Sequence, residues 1–136
     1  MAIATDGGIV LTGNTRKSSK TRSGDIWLSK INTAGQEEWQ RIFGEKGWDE
    51  ANDLIATVDG GFAIAGLTRS KGAGDIDAWL IKVGRDGFMQ WDKTFGGKDA
   101  DWANHLTQVD DRGFLLVGAS KSHRKGARQS KIFIVK

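Results

Sequence analysis

Trp48 and Trp102 each stand among carboxylates and amides: Asp49, Glu50 and Asn52 follow the first, and Asp99, Asp101 and Asn104 surround the second. An indole flanked by such groups can stack a sugar ring and hydrogen-bond its hydroxyls. The plainer alternative is that both indoles wedge between packed layers. A second set is cationic. Arg16, Lys17, Lys20 and Arg22, then Arg69 and Lys71, then Lys121, Arg124, Lys125 and Arg128 make up half of the 20 Lys and Arg residues and fall in three short polar stretches. That concentration would attract an anionic partner such as nucleic acid, an acidic glycan or an acidic protein. No aromatic residue is interleaved with the charges, so a solvated, solubilising loop set fits the same residues.

Catalytic chemistry finds little to stand on, and no enzyme activity, cofactor or metal is expected. His105 and His123 have no partners at ligand spacing for zinc. Ser18, Ser19, Ser120 and Ser122 lack the strand–turn–helix setting of an activated serine. "FGEKG" and "FGGKDAD" lack the Gly-Lys-Ser/Thr of a phosphate loop. "GDID" (74 to 77) hints at calcium, but calcium needs more oxygen ligands from one loop. Asp59-Gly60 and Asp86-Gly87 read as turn residues. With no Cys there is neither a disulfide framework nor thiolate chemistry.

The bulk numbers point to one ordinary globular domain: 136 residues, 38% hydrophobic, 27% charged, net charge +3. The longest apolar run is about five residues against the roughly 20 of a membrane helix, so no membrane span is expected. The opening "MAIATDGG" has no basic region followed by an apolar one, so no signal peptide is visible, and the residues name no compartment.

The positioning of these residues follows from a repeat. "TDGGIVLTGNT", "VDGGFAIAGLT" and "VDDRGFLLVGASKS" carry Gly13, Gly66 and Gly118 at separations of 53 and 52 residues. "DIWLSKINTAGQEEWQRIFG" matches "DAWLIKVGRDGFMQWDKTFG", placing Trp27 over Trp79, Trp39 over Trp91 and Phe43 over Phe95. The middle copy predicts four strands: A over 53–58, B over 62–68, C over 77–83 and D over 89–95, with an Asp-Gly two-residue turn between A and B. Strand B is apolar on both faces and D alternates, so burial falls from the inner strands to the last. Four-stranded antiparallel sheets stacked on copies of themselves, with A near an axis and D at the rim, are β-propeller blades. The expected fold is all-β, in three blades of about 1–46, 47–98 and 99–136, the last lacking its outer strand.

The motif D-x-W-L-x-K, then W-x-x-x-F-G-G, then D-G-G-F with three apolar or small residues before Gly resembles a family of bacterial and archaeal tandem repeats held to form β-propellers. It is similar more distantly to the tryptophan-aspartate repeat. The resemblance spans essentially the whole chain and implies a fold and an exported parent protein, with no shared chemistry.

Propellers usually have four to eight blades, so three would leave two apolar faces bare. The expectation is a non-enzymatic binding or scaffold module that self-associates, favouring two chains and six blades about a two-fold axis. Any carbohydrate or anionic ligand would sit at the face bearing the B–C and D–A loops. A piece of a larger propeller without a ligand of its own, and a nucleic-acid or acidic-partner binder acting through the basic B–C loops, are the competing readings.

Overall fold

The computed structural model describes residues 1–16 and 23–122, together with the backbone of residues 129–135. Eleven strands and no helix lie among the described residues. β1 (Ala2–Ile3), β2 (Ile9–Asn14), β3 (Ile26–Ile31) and β4 (Glu37–Phe43) form the first sheet. β5 (Asp49–Ala56), β6 (Phe62–Thr68), β7 (Asp77–Val83) and β8 (Met89–Phe95) form the second. β9 (Asp101–Gln108), β10 (Phe114–Ser120) and β11 (Gln129–Val135) form the third. Every pairing joins consecutive strands and is antiparallel.

The turn between β5 and β6 differs from the two-residue form expected. Thr57 N–H donates to Gly61 O at 2.9 Å and Gly60 N–H donates to Thr57 O at 2.8 Å, closing a type I turn followed by one left-handed residue. Only Gly60 needs a positive φ, at 80°, whereas the two-residue alternative needs two in succession. The same bond pair closes four other hairpins, whose left-handed residues are Gly7, Gly35, Gly87 and, exceptionally, Arg112 with φ 64°. Asp59 Oδ1 accepts the Gly61 N–H at 3.0 Å, and Asp6, Asp86 and Asp111 make the equivalent bond, which explains the Asp in four of the five turns; in the fifth Asn32 Oδ1 accepts the Gln36 N–H instead.

The first strand of the middle sheet also differs, running over Asp49–Ala56 instead of 53–58. A register shift between Ala51 and Asp53 lets it continue through polar residues to pair Asp49 with Thr68. The shift presses a carbonyl onto β6: a methyl group at Gly66 would lie 1.8 Å from Glu50 O, and one at Gly118 would lie 1.9 Å from Trp102 O. Glycine at those positions is a packing requirement of the neighbouring strand.

The sheets pack face to face through two junctions built from matching positions. Val10, Ile26, Leu28 and Phe43 meet Leu54, Phe62, Ile64 and Trp79 at the first. Ala63, Ala78, Leu80 and Phe95 meet Leu106, Phe114 and Leu116 at the second. Trp39 stands edge-on to Phe62 at 6.4 Å, and Trp91 repeats that contact with Phe114 at 5.8 Å. β7 is buried along its whole length while β8 is half exposed, as the alternation in sequence requires.

Candidate functional site

Two loop systems meet at one end of the sheets. Arg69 N–H donates to Trp48 O at 2.9 Å and Lys121 N–H to Ala100 O at 2.9 Å, so the segments after β6 and β10 are tied to those before β5 and β9. The start of each of these two loops therefore lies beside a segment that bears Trp and Asp. What the Asp residues do there is different.

Asp49 and Asp101 are fully buried, which excludes them as surface ligands for a sugar. Asp49 Oδ1 accepts the Thr68 hydroxyl, and its Oδ2 accepts the Ser70 hydroxyl at 2.6 Å and the Glu45 N–H at 3.2 Å. Asp101 Oδ2 accepts the Ser122 hydroxyl and the Gly97 N–H at 2.9 Å. A carboxylate is tolerated out of water only when its lone pairs are met in this way. Asp25 and Asp77 are buried too, one sheet earlier. Asp77 and Asp101 close on Gly96, where a methyl would meet them at 2.2 and 2.8 Å, and Asp25 and Asp49 close on Gly44 in the same manner. Each junction is thus bridged by the aspartate of its second sheet, Asp49 through the Glu45 N–H and Asp101 through the Gly97 N–H. The signal was in the sequence, because both Asp pairs, their hydroxyl partners and the glycine recur at a spacing of 52. Residue type alone, however, does not tell a ligand carboxylate from a lock.

The indoles do not form one platform per sheet. Trp48 precedes Asp49, whereas Trp102 follows Asp101 as the second residue of β9, so they occupy different places. Trp48 is half-buried against Gly24, where a methyl would meet its ring at 2.8 Å, and its Nε1–H donates to Glu50 Oε2 at 3.0 Å. It is a wedge between the first and second sheets. Trp102 is half-buried opposite Ala119. Asn52 also spans a junction, donating from Nδ2 to Ala103 O at 2.8 Å. Asp99 and Asn104 are exposed.

Of the ten basic loop residues, Lys17, Lys20, Arg22, Arg124, Lys125 and Arg128 lie outside the described residues, as do Ser18, Ser19 and His123. Arg16 and Lys121 are exposed. Arg69 faces Asp75 at 3.9 Å with both side chains largely in water, a pair of little energetic weight. Lys71 is engaged, at 2.9 Å from Asp92 Oδ2 and 5.4 Å from the Trp79 ring. His105 lies 3.7 Å from Asp53 and is exposed. No group of three potential metal ligands occurs among the described residues.

A second polar centre, unanticipated in the sequence, lies at the opposite, hairpin end. Lys82, with only 5% of its side chain exposed, reaches Asp59 Oδ2 at 2.9 Å, Val83 O at 3.0 Å and Gln90 Oε1 at 3.2 Å. Partial burial works against ionisation of Asp59, but hydrogen bonds from the Thr57 hydroxyl, Lys82 and the Gly61 N–H together hold its carboxyl far below the usual range. Lys30 repeats the arrangement with Asp6 and Glu38, which raise its pKa despite desolvation. The buried amines escape sequence reading because each sits in an apolar strand, and only its position facing the turn Asp reveals its partner.

No protein-family model matches the chain, and no curated protein matches it.

Proposed function

We propose that the chain is a partial β-propeller of three blades whose role is that of a non-enzymatic scaffold, closing a six-bladed ring with a second copy of itself. The observation that carries this reading is the mismatch in exposure between equivalent positions. Phe62 is 1% exposed where the first sheet covers it, and its counterpart Ile9, on the uncovered side of the first sheet, is 41% exposed. Trp79 is buried while Trp27 is half-exposed, and Ile3 and Ile42, cross-strand neighbours of Ile9 and Trp27, stand largely in water. At the far end Ala65 is fully buried and its counterpart Val117 is 40% exposed.

These two bare surfaces are the two halves of the junction that the chain already makes twice. Docking the first sheet of one copy on the third sheet of another would continue the same packing, with apolar area worth about 25 cal/mol per Å² removed from water. The fan expected of blades is supported by the main cross-junction backbone contacts, which involve β5 or β9, the first strand of the following sheet. The aspartate pair and Asn52, which would act as interblade pins, add the directional part.

Ile9→Lys and Val117→Lys place a charge on either half without touching an internal junction. Each is expected to shift the chain from dimer to monomer in sedimentation while leaving its circular dichroism unchanged. A dimer persisting in both variants would remove the reading.

A further inference from the structure

The hairpin end of the second junction holds a recess of about 150 Å³, the size that admits one six-membered ring. Trp91 and Phe114 supply an aromatic wall, and Asp59, Lys82, Gln90, Gln108 and Arg112 supply the polar one. An apolar wall with a few convergent polar groups is the usual make-up of a small-molecule site. The charges in it do not cancel. Lys82 is neutralised by Asp59 and fills its remaining donors on Val83 O and Gln90. Arg112, exposed on its turn, has no carboxylate partner among the described residues. Donor capacity also remains on the amides: Gln90 is engaged through Oε1, and the Gln108 Nε2 reaches only Arg112 O, at 3.4 Å.

Equivalent positions at the first junction carry other residues. There Gly60 stands in the place of Arg112, Ala56 in that of Gln108, and Glu38 in that of Gln90, with Glu38 2.7 Å from Lys30. The β7–β8 turn lies over Trp39, with Gly87 against the indole, and Arg41 is held between the Phe88 ring at 4.1 Å and Asp86 O at 2.9 Å. At the second junction Lys93 replaces Arg41 and stands 5.8 Å from the Trp91 ring.

We propose that this recess binds a single carboxylated pyranose. The sugar carboxylate pairs with the Arg112 guanidinium, whose fork of donors suits a planar carboxylate. The ring lies against Trp91, and its hydroxyls exchange hydrogen bonds with Gln90, Gln108 and Asp59. The site lies within one chain and does not depend on ring closure.

The test is titration of the intact chain with D-glucuronate, D-glucose and acetate, followed by the indole N–H resonance of Trp91 in NMR. Glucuronate is expected to saturate with a millimolar Kd, and glucose and acetate to bind roughly tenfold more weakly, since each lacks one half of the ligand. Arg112→Gly puts glycine where the other four turns of this form have it, so the fold is retained, and the preference for glucuronate over glucose is expected to vanish. Trp91→Phe, followed through the Arg112 backbone amide resonance because the indole reporter is gone, should weaken both sugars. Absence of a saturable response to glucuronate, equal affinity for glucose or for acetate, or an unchanged preference in Arg112→Gly would each overturn the proposal. Because the same titration can be run on the Ile9→Lys variant, its failure is separable from failure of the scaffold reading.

Discussion

Arg112 is the one residue that departs from the backbone rule of its turn. Four hairpins place glycine in the left-handed slot and the fifth places an arginine there with φ 64°, at a cost of about 1 kcal/mol. Arg112→Gly should therefore raise stability by about that amount in urea unfolding, and a fall in stability would show that its side chain contributes to the fold. Gly66 and Gly13 occupy equivalent positions with opposite surroundings. Gly66 lies under a carbonyl of β5, whereas a methyl at Gly13 would meet only the Trp27 ring at 3.5 Å. Gly66→Ala is expected to cost about 3 kcal/mol and Gly13→Ala less than about 0.5 kcal/mol, and equal costs would contradict the bulge account. The turn carboxylates set the acid limb. The Lys30 hydrogen bond lowers the pKa of Asp6, and the Asp59 carboxyl is held low by its three donors, so both take up protons more readily in the unfolded chain, near 3.8. Their contribution is complete above about pH 5 and is lost as pH falls through the folded values. For Lys30 the direction reverses: its contribution is complete below 10.5 and lost as pH rises through the raised folded value. Asp59→Asn should flatten the acid limb of stability, measured by urea unfolding from pH 2 to 6.

At the level of strands, most of the pattern was legible because period-two alternation and the turn residues agree. β6, β7 and β8 fall on the ranges expected, and the turn aspartates hold the turns as anticipated. The start of β5 was not legible, since a register shift carries the strand through Glu50 to Asp53, where polar residues read as a loop. That displacement also explains why the Trp, Asp and Asn residues read in sequence as a ligand-binding loop. Asp49 turns inward on the strand and becomes a lock, and Asn52 crosses to the next sheet. The lock makes a prediction: Thr68→Val keeps the shape but deprives Asp49 Oδ1 of its donor, leaving a buried acceptor unmet. A loss of about 1–3 kcal/mol is expected in urea unfolding, and a neutral result would show that the aspartate has another source of compensation.

On the scale of the whole molecule, the repeat decides more than any single motif. Three sheets provide two complete junctions and leave one half-junction bare at each end, and the residues on those ends are the equivalents of ones buried inside. If a second copy covers these two ends, as proposed, association extends the same packing that folds the chain. The stability of the ring should then depend on protein concentration, and dilution should lower the melting temperature if the bare faces are covered by a partner. The most direct measurement is the mass of the unmodified chain in solution by light scattering across a range of concentrations. The account predicts twice the chain mass of 14.8 kDa, falling toward one chain on dilution. A folded particle of 14.8 kDa that stays monomeric at the highest concentration would contradict it.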